Sequence, residues 1–422
     1  MSSPARYYGL RPGEIAARLL SDVWVKGITR RGLPSGRRKV ALVRLDNIGD
    51  FVLWLDALRG WRAVFPPETH ELTLIAQRTW ASLAENALEI DHVWSLDRDR
   101  FVQDVAYRRA QLRAVRQAGF DTVVQVRPGR ELLIEDTLTR VSGAGERVGW
   151  ARAAGASLLH WALSERMYSQ IVPPGSAEQM ELDRNADMLR ALGLTEFAAD
   201  VPQLAERAEC PPDLDGQPFY VLFPGAEWAG RRWPPARFAE IARRLHALTG
   251  WRGVVCGGPD DRERGQVVAG LSGVPLDDWT GRTSLDLLAA IMRRARVVVS
   301  NETGGVHLAA SVKTPCVSVT GGGHWGRFLP YPAAVAARRG VPLPVVFPMP
   351  CFGCDWKCIY QVVPGDPTPC VENVSVDAVW AAVQSALEQT PYSRERDAPL
   401  SVISAAHEAG EIKVVLPPSA KG

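Results

Sequence analysis

Residues 39–61 read KVALVRLDNIGDFVLWLDALRGW. The opening KVALVRL is an apolar run of the length and make-up of a buried strand. Beyond Asp50 the apolar residues change period: Phe51, Trp54, Leu55, Leu58 and Trp61 share one face of a helix. Asp50 stands at the junction, directly after a glycine. Aspartate is a favoured N-cap, and its charge suits the positive end of a helix. Capping is the favoured reading of the residues alone, but a carboxylate at the C-terminal edge of a strand also faces the place where open α/β sheets bind ligands, so Asp50 could also take a proton from a substrate. The helix end would lower its pKa and weaken it as a base unless burial offsets this. Asp46, four residues earlier, is the rival base.

The same strand, turn and helix succession repeats on the C-terminal side. ELTLIA, DHVWSL and DTVVQV read as strands, separated by TWASLAENA and RRAQLRAVRQAG as helices, and QMELDRNADMLRALGL closes the region as a helix. Residues 205–218, AERAECPPDLDGQP, are polar and rich in proline, as a linker would be. The alternation then restarts. FYVLFP, RGVVCGG, RVVVSN and PCVSVTGG read as strands; PARFAEIARRLHALTG, SLDLLAAIMRRA and TGGVHLAASV read as helices. Such alternation predicts parallel βαβ units with both sheet faces covered. The expected organisation is a first α/β domain over 38–204, the linker at 205–218 and a second α/β domain over 219–390. A final helix is expected at 375–389, with Ser375 as its N-cap. Residues 391–422 show no pattern. On the N-terminal side, residues 12–30 place Ile15, Leu19 and Val23 at helical spacing, and the basic RRGLPSGRRK follows. These 37 residues are read as an amphipathic packing helix with a solvated linker; the alternative is contact with anionic lipid headgroups.

Composition narrows the class. The chain has 422 residues, 46% hydrophobic and 23% charged, which suits a soluble globular protein of two or three domains. Lys plus Arg is 49 and Asp plus Glu is 47, a net charge of +2, so nothing suggests a nucleic-acid partner. No apolar run is long enough to span a bilayer and no signal peptide opens the chain, so the expected location is cytoplasmic.

Three loops carry the chemistry of an anion or nucleotide site. FPGAEWAGRRWP follows a strand and presents Arg231 and Arg232, a charge pair suited to phosphate. CGGPDDRER sets Gly257 and Gly258 after a strand, where a flat or anionic group can approach closely. In VVVSNETGGVHLAASV a buried strand ends at Ser300–Asn301, and Thr303, Gly304 and Gly305 open a helix whose free amides and dipole suit an anion. His307 lies in its first turn. TGGGHWGRFLP adds another glycine-rich loop with His324 and Arg327. There is no Walker A run and no GxGxxG, which argues against a P-loop NTPase or a simple dinucleotide dehydrogenase.

In this order, over about residues 38–390, these segments resemble glycosyltransferase family 9, the ADP-heptose:lipopolysaccharide heptosyltransferases. The resemblance implies a GT-B fold: two Rossmann-like domains facing a cleft, acceptor on the first and nucleotide-sugar on the second. VRLDNIGD matches the family's Gly-Asp motif, which puts the catalytic base on Asp50, compatible with capping. The basic residue two before Trp-Pro is Arg231, where relatives usually have Lys. The family's Asp-Thr-Gly-x-x-His appears as Glu302, Thr303, Gly304, Gly305, Val306 and His307, with Glu in place of Asp. The resemblance implies an inverting transfer to a hydroxyl of a glycan, lipid-linked or protein acceptor, with no catalytic divalent metal. Two other readings stay open: a non-catalytic nucleotide-sugar-binding or scaffold protein that keeps the fold, and a redox protein built on the cysteines. The cysteine cluster departs from the family pattern. Cys351, Cys354, Cys358 and Cys370 are spaced C-x2-C-x3-C-x11-C, and four thiolates suit structural zinc or iron. Disulfides and unligated thiols are the alternatives. The expectation is a structural knuckle with no direct part in sugar transfer.

Overall fold

The computed structural model describes residues 11–29, 36–85, 87–151, 164–173, 175, 179–336, 338 and 340–388. The tail after Pro391 and the first part of the basic stretch at 30–39 lie outside the described residues.

Two six-stranded parallel sheets organise the chain. The first holds β1 Arg38–Arg44, β2 His70–Gln77, β3 His92–Leu96, β4 Thr122–Gln125, β5 Glu146–Trp150 and β6 Gln170–Val172, in the order β3-β2-β1-β4-β5-β6. The second holds β7 Phe219–Phe223, β8 Arg252–Val255, β9 Leu276–Asp278, β10 Val298–Asn301, β11 Cys316–Val319 and β12 Leu343–Val345, in the order β12-β11-β10-β7-β8-β9. Counted from its own first strand, each sheet has the 3-2-1-4-5-6 order of a doubly wound Rossmann fold. The arrangement is GT-B. β1 explains its own sequence: Val40, Ala41, Leu42 and Val43 are all fully buried, because helices cover both faces and no alternation is needed.

Four short strands, β5, β6, β9 and β12, were not expected from the sequence. β6 and β9 have three residues each at the sheet edges, and β12 carries Pro344. The run from Phe51 to Trp61 is two helices rather than one, Ile48–Trp54 and Ala57–Val64. The break falls at Leu55–Asp56, where Asp56 is drawn away by Arg59 at 3.0 Å and by the amide of Asp200 at 2.9 Å. The expected helix at 12–30 is an α-helix, Pro12–Ser21, followed by a 3-10 segment, Asp22–Gly27. It packs on the first domain: Val25 is buried, Ile15 and Leu19 lie against the same core, and buried Asp22 pairs with Arg108 at 2.6 Å. Ser375 caps the last helix, Val376–Glu388, by accepting from the Ala378 amide at 3.1 Å. Among the described residues no helix is long and apolar enough to cross a membrane.

One apolar core runs through both halves, joining Val40, Trp54 and Trp61 to Val221, Ile291 and Val306. The two domains touch through the elements that follow the C-terminal ends of β1 and β10. These helices, Ile48–Trp54 and Gly304–Ser311, meet glycine to glycine: a Cβ on Gly49 would stand 3.2 Å from Gly304 Cα. That contact fixes where the two domains share a site.

Candidate active site

Asp50 lies in the first turn of the Ile48–Trp54 helix, and Asn47 occupies the N-cap position. The capping role expected for Asp50 is therefore absent. Among the described residues its half-buried carboxylate makes no hydrogen bond or ion pair. Burial pushes its pKa up to about 7; Asp46 and Glu181 add repulsion, while Arg44 and Arg327 oppose it. Burial thus does offset the helix end, and Asp50 is ready to accept a proton near neutrality. Asp46 is no rival. It is buried and held by Arg44, with Nη2 at 2.8 Å from one oxygen and Nε donating to the other at 3.1 Å. Arg44 also donates to the backbone carbonyl of Asp50 at 2.9 Å, so one guanidinium fixes both aspartates' positions.

Glu181 carried no recognisable motif, and nothing in the sequence tied Arg327 to it. Glu181 begins the Glu181–Ala191 helix and is buried. Burial works against its charge, but Arg327, Arg184 and Arg44 together hold its carboxyl below the usual range. Arg327 comes from the second domain and reaches Glu181 at 3.5 Å, while its carbonyl accepts the Glu181 amide at 2.8 Å. The charges at the first sheet's edge are therefore tied to a loop of the second. At the C-terminal ends of β2 and β3 of the same sheet lies a polar groove of about 450 Å³, lined by Gln77, Arg78, Asp97 and Asp99 among others.

On the second domain, the arginine pair separates into two jobs. Arg232 donates to the carbonyls of Ala226 at 2.7 Å and Glu227 at 3.2 Å, and so stiffens its own loop. The half-buried guanidinium of Arg231 makes no hydrogen bond or ion pair among the described residues and lies 5.8 Å from the centre of the Trp356 ring. Trp233, fully buried, anchors the loop through its amide to Asn301 Oδ1 at 3.0 Å, and Asn301 Nδ2 donates to Pro224 at 2.7 Å. Glu302 follows directly. It is buried, one carboxylate oxygen has no partner, and burial pushes its carboxyl up to about 7 against the pull of Arg231 and the Gly321 amide. A buried, half-satisfied carboxyl beside a free guanidinium suits a ligand with both hydroxyls and negative charge.

The glycines are another matter. Thr303 caps the Gly304–Ser311 helix, its hydroxyl accepting from the Gly305 amide at 3.2 Å. Gly304 faces Gly49 and Ile48, and a Cβ on Gly305 would stand 3.3 Å from the Phe223 ring. These two glycines serve packing in this structure. His307 is buried behind Gly49; its Nδ1 is 3.0 Å from the Tyr331 hydroxyl, and burial drives its pKa down to about 4, so the ring is neutral. Over Gly257 stands Asp261, whose Cβ is 2.8 Å from where a glycine Cβ would be and whose carboxylate accepts the Gly258 amide at 2.9 Å. A carboxylate there suits hydroxyls better than phosphate.

All seven cysteines are free thiols. Cys351, Cys354 and Cys358 are half-buried and Cys370 is buried. They are neighbours: burial raises the Cys354 pKa, and Cys351, Cys370 and Cys358 raise it further. Four thiols match the chemistry of a zinc or iron site. Their side chains do not converge, however. Among the described residues no group of three or more His, Cys, Asp or Glu stands close enough to hold a metal ion. Cys370 Sγ instead accepts the Gly322 amide at 3.4 Å.

Residues 108–340, more than half of the chain, match the family described as glycosyltransferase family 9 (heptosyltransferase). The match starts after Asp50 and ends before the cysteines. Over 300 residues the chain is 26% identical to lipopolysaccharide heptosyltransferase 1 of Pseudomonas aeruginosa, covering 67% of this chain and 78% of that protein. Among solved structures, the glycosyl transferase family 9 protein of Veillonella parvula superposes with a TM-score of 0.67 at 18% identity, over 85% of this chain and 100% of the other. The E. coli ADP-heptose lps heptosyltransferase II gives 0.62 at 16% identity, over 83% and 99%.

Proposed function

The chain belongs to glycosyltransferase family 9, and from that premise we propose that this enzyme moves a heptose from ADP-heptose to a hydroxyl of a lipopolysaccharide-type glycan, with inversion. Asp50 takes the proton of the acceptor hydroxyl. The acceptor oxygen forms its bond to the anomeric carbon as the bond from that carbon to the diphosphate breaks, and the electron pair leaves with ADP. Arg231 offsets the charge that develops on the diphosphate. Glu302, one oxygen unsatisfied, accepts from sugar hydroxyls. The acceptor's sugars lie along the polar groove at the ends of β2 and β3.

One observation carries this reading. Asp50 is a carboxyl without partners, poised near pH 7, at the point where the two domains meet. A non-catalytic binding protein has no use for such a group. The relatives named above support heptose and lipopolysaccharide as the sugar and acceptor class. A cytoplasmic enzyme, peripheral to the inner face of the membrane that carries such an acceptor, belongs to the same proposal; fractionation of cells with and without a salt wash tests it.

The deciding experiment is transfer from ADP-heptose to truncated lipopolysaccharide, with product detected by mass. Tight ADP binding without any transfer, across heptose and hexose donors, would return the protein to the binding class. A structural zinc or iron at Cys351, Cys354, Cys358 and Cys370 is a separate proposal, supported by the four neighbouring thiols and requiring their side chains to turn together. Less than a tenth of an equivalent of either metal in the purified protein, with four titratable thiols, removes it.

A further inference from the structure

The cysteine segment touches the donor loop. The glycines of TGGGHWGRFLP, Gly321 to Gly323, make room for side chains of that segment. A Cβ on Gly321 would stand 2.5 Å from the Trp356 ring, one on Gly323 2.2 Å from it, and one on Gly322 2.2 Å from Phe352. The backbones are joined as well: the Gly353 amide donates to Gly322 at 2.8 Å, and the Asp355 amide to Gly323 at 2.9 Å.

Trp356 is fixed by more than packing. Its indole N–H donates to His324 Nδ1 at 3.1 Å, and His324 Nε2 is 3.2 Å from Asp355 Oδ1. An indole nitrogen only donates, so Nδ1 must be the bare nitrogen and Nε2 carries the hydrogen toward Asp355. One imidazole thereby links two neighbouring residues into a rigid bracket. Asp355 and Trp356 both have left-handed backbone, with φ of 53° and 57°. Two successive non-glycine residues in that region persist only where the surroundings overdetermine them, and such places cluster at binding sites. Trp228 meets the ring edge-on at 5.4 Å, and Thr368 donates through its amide and its hydroxyl to the carbonyl of Gly230, at 2.8 and 2.9 Å. The segment thus holds the Arg231 loop at Trp228 and at Gly230, just before the arginine.

We propose that Trp356, held by His324 and Asp355, is a positioning residue of the donor site: its ring holds the Arg231 guanidinium where the diphosphate of a nucleoside-diphosphate sugar binds. This rests on the reading of Arg231 as the diphosphate contact. The distance of 5.8 Å from guanidinium to ring centre is within cation–π range, and an aromatic face leaves the N–H edges of arginine open to phosphate. It replaces the expectation that the cysteine segment has no direct part in transfer.

ADP affinity, measured by calorimetry on the full chain, tests this as a double-mutant cycle. Trp356→Leu should weaken ADP binding about fivefold, the size of a partly shielded cation–π contact. Donor KM should rise in step, and acceptor KM should not. The loss should vanish when Arg231 is already alanine, because Trp356 acts through it. An equal loss in the Arg231→Ala background, or no loss with Arg231 intact, overturns the proposal. If Trp356→Leu does not fold, His324→Ala serves: the ring stays but its tether is gone, so a smaller loss is expected, again absent without Arg231, and an unchanged affinity overturns the proposal in its place. Should Arg231→Ala alone leave ADP affinity unchanged, the donor reading itself fails, and that result is distinct from all the others.

Discussion

The two sheets have the same strand order and opposite chemistry at their working ends. The end of the first sheet is crowded with paired charge: Arg44 with Asp46, Glu181 with Arg184 and Arg327, and Asp50 left over without a partner among the described residues. The end of the second has glycine and aromatic rings around the guanidinium of Arg231, which makes no hydrogen bond or ion pair among the described residues, and the half-satisfied carboxyl of Glu302. Duplicate topology therefore does not mean duplicate function. Burial, with Asp46 and Glu181 adding to it, raises one carboxyl toward neutrality, which suits proton transfer. An uncrowded cation on a stiff loop suits an anion that comes and goes.

The severest test of this contrast is Asp50→Asn. Transfer should fall by about 10²–10⁴-fold, while ADP affinity stays as it was. Stability gives a second readout. An acid whose pKa is raised in the fold costs stability as pH climbs from its unfolded value, about 4, through its folded value. Here that window runs up to about 7. The asparagine variant should lose that part of the pH slope and be no less stable than the parent at pH 8. A variant that is active and destabilised would mean that Asp50 is structural.

Arg231→Ala comes next in size. Losing one charge-assisted contact to a phosphate, about 1.5–3 kcal/mol, should weaken ADP about ten- to a hundredfold. The pKa of the base should not move, because Asp50 feels Arg44 and Arg327 rather than Arg231. A shift of the pH–rate profile in this variant would break the division between the two ends.

Arg327 is where the ends are joined, so Arg327→Ala should do the reverse. Its charge lowers the Asp50 pKa, and removing it should raise that pKa. With Asp50 as the base, the acid limb of kcat/KM should lie near pH 7 in the parent, with activity falling as protonation rises below it. In the variant the limb should move to higher pH, by less than about one unit, because the side chain is 38% exposed and water screens it. A limb that stays put or moves down would remove Arg327 from the base's surroundings.

Most of this architecture was legible in the sequence because buried parallel strands advertise themselves. Val40–Val43 and Val297–Val299 are apolar throughout, and the helices between strands keep their period. What was missed is what depends on distant partners. Asp56 breaks a helix whose apolar pattern continues past it, because Asp200 takes its carboxylate. Glu181 and Arg327 meet although 146 residues separate them. Asp50 was legible as a candidate base, and its freedom from capping was not, since Asn47 is just as good a cap in sequence. Glycines say least by themselves. Gly257 and Gly304 read as ligand contacts and Gly321–Gly323 as a further glycine-rich loop, and at each of them another part of the protein also comes close. Sequence shows that space is needed, not what fills it.

Gly304→Ala turns that last point into the smallest and most selective test. A Cβ there would stand 3.1 Å from the Gly49 amide nitrogen and 3.4 Å from Ile48 Cβ, so the added methyl presses on the first domain. The contact is tight but not impossible, and a shift of a few tenths of an ångström relieves it. ADP affinity should change less than about twofold, with a small drop in Tm or a slightly more open cleft seen by scattering. Gly49→Ala presses on the same contact from the other side, 3.2 Å from Gly304 Cα, and should give a similar result. If Gly304→Ala instead weakens ADP more than tenfold while Gly49→Ala does not, the diphosphate sits on the amides of the Gly304–Ser311 helix. The anion-binding role would then pass from Arg231 to that helix end, and the second domain would hold its ligand by backbone rather than by a side-chain cation.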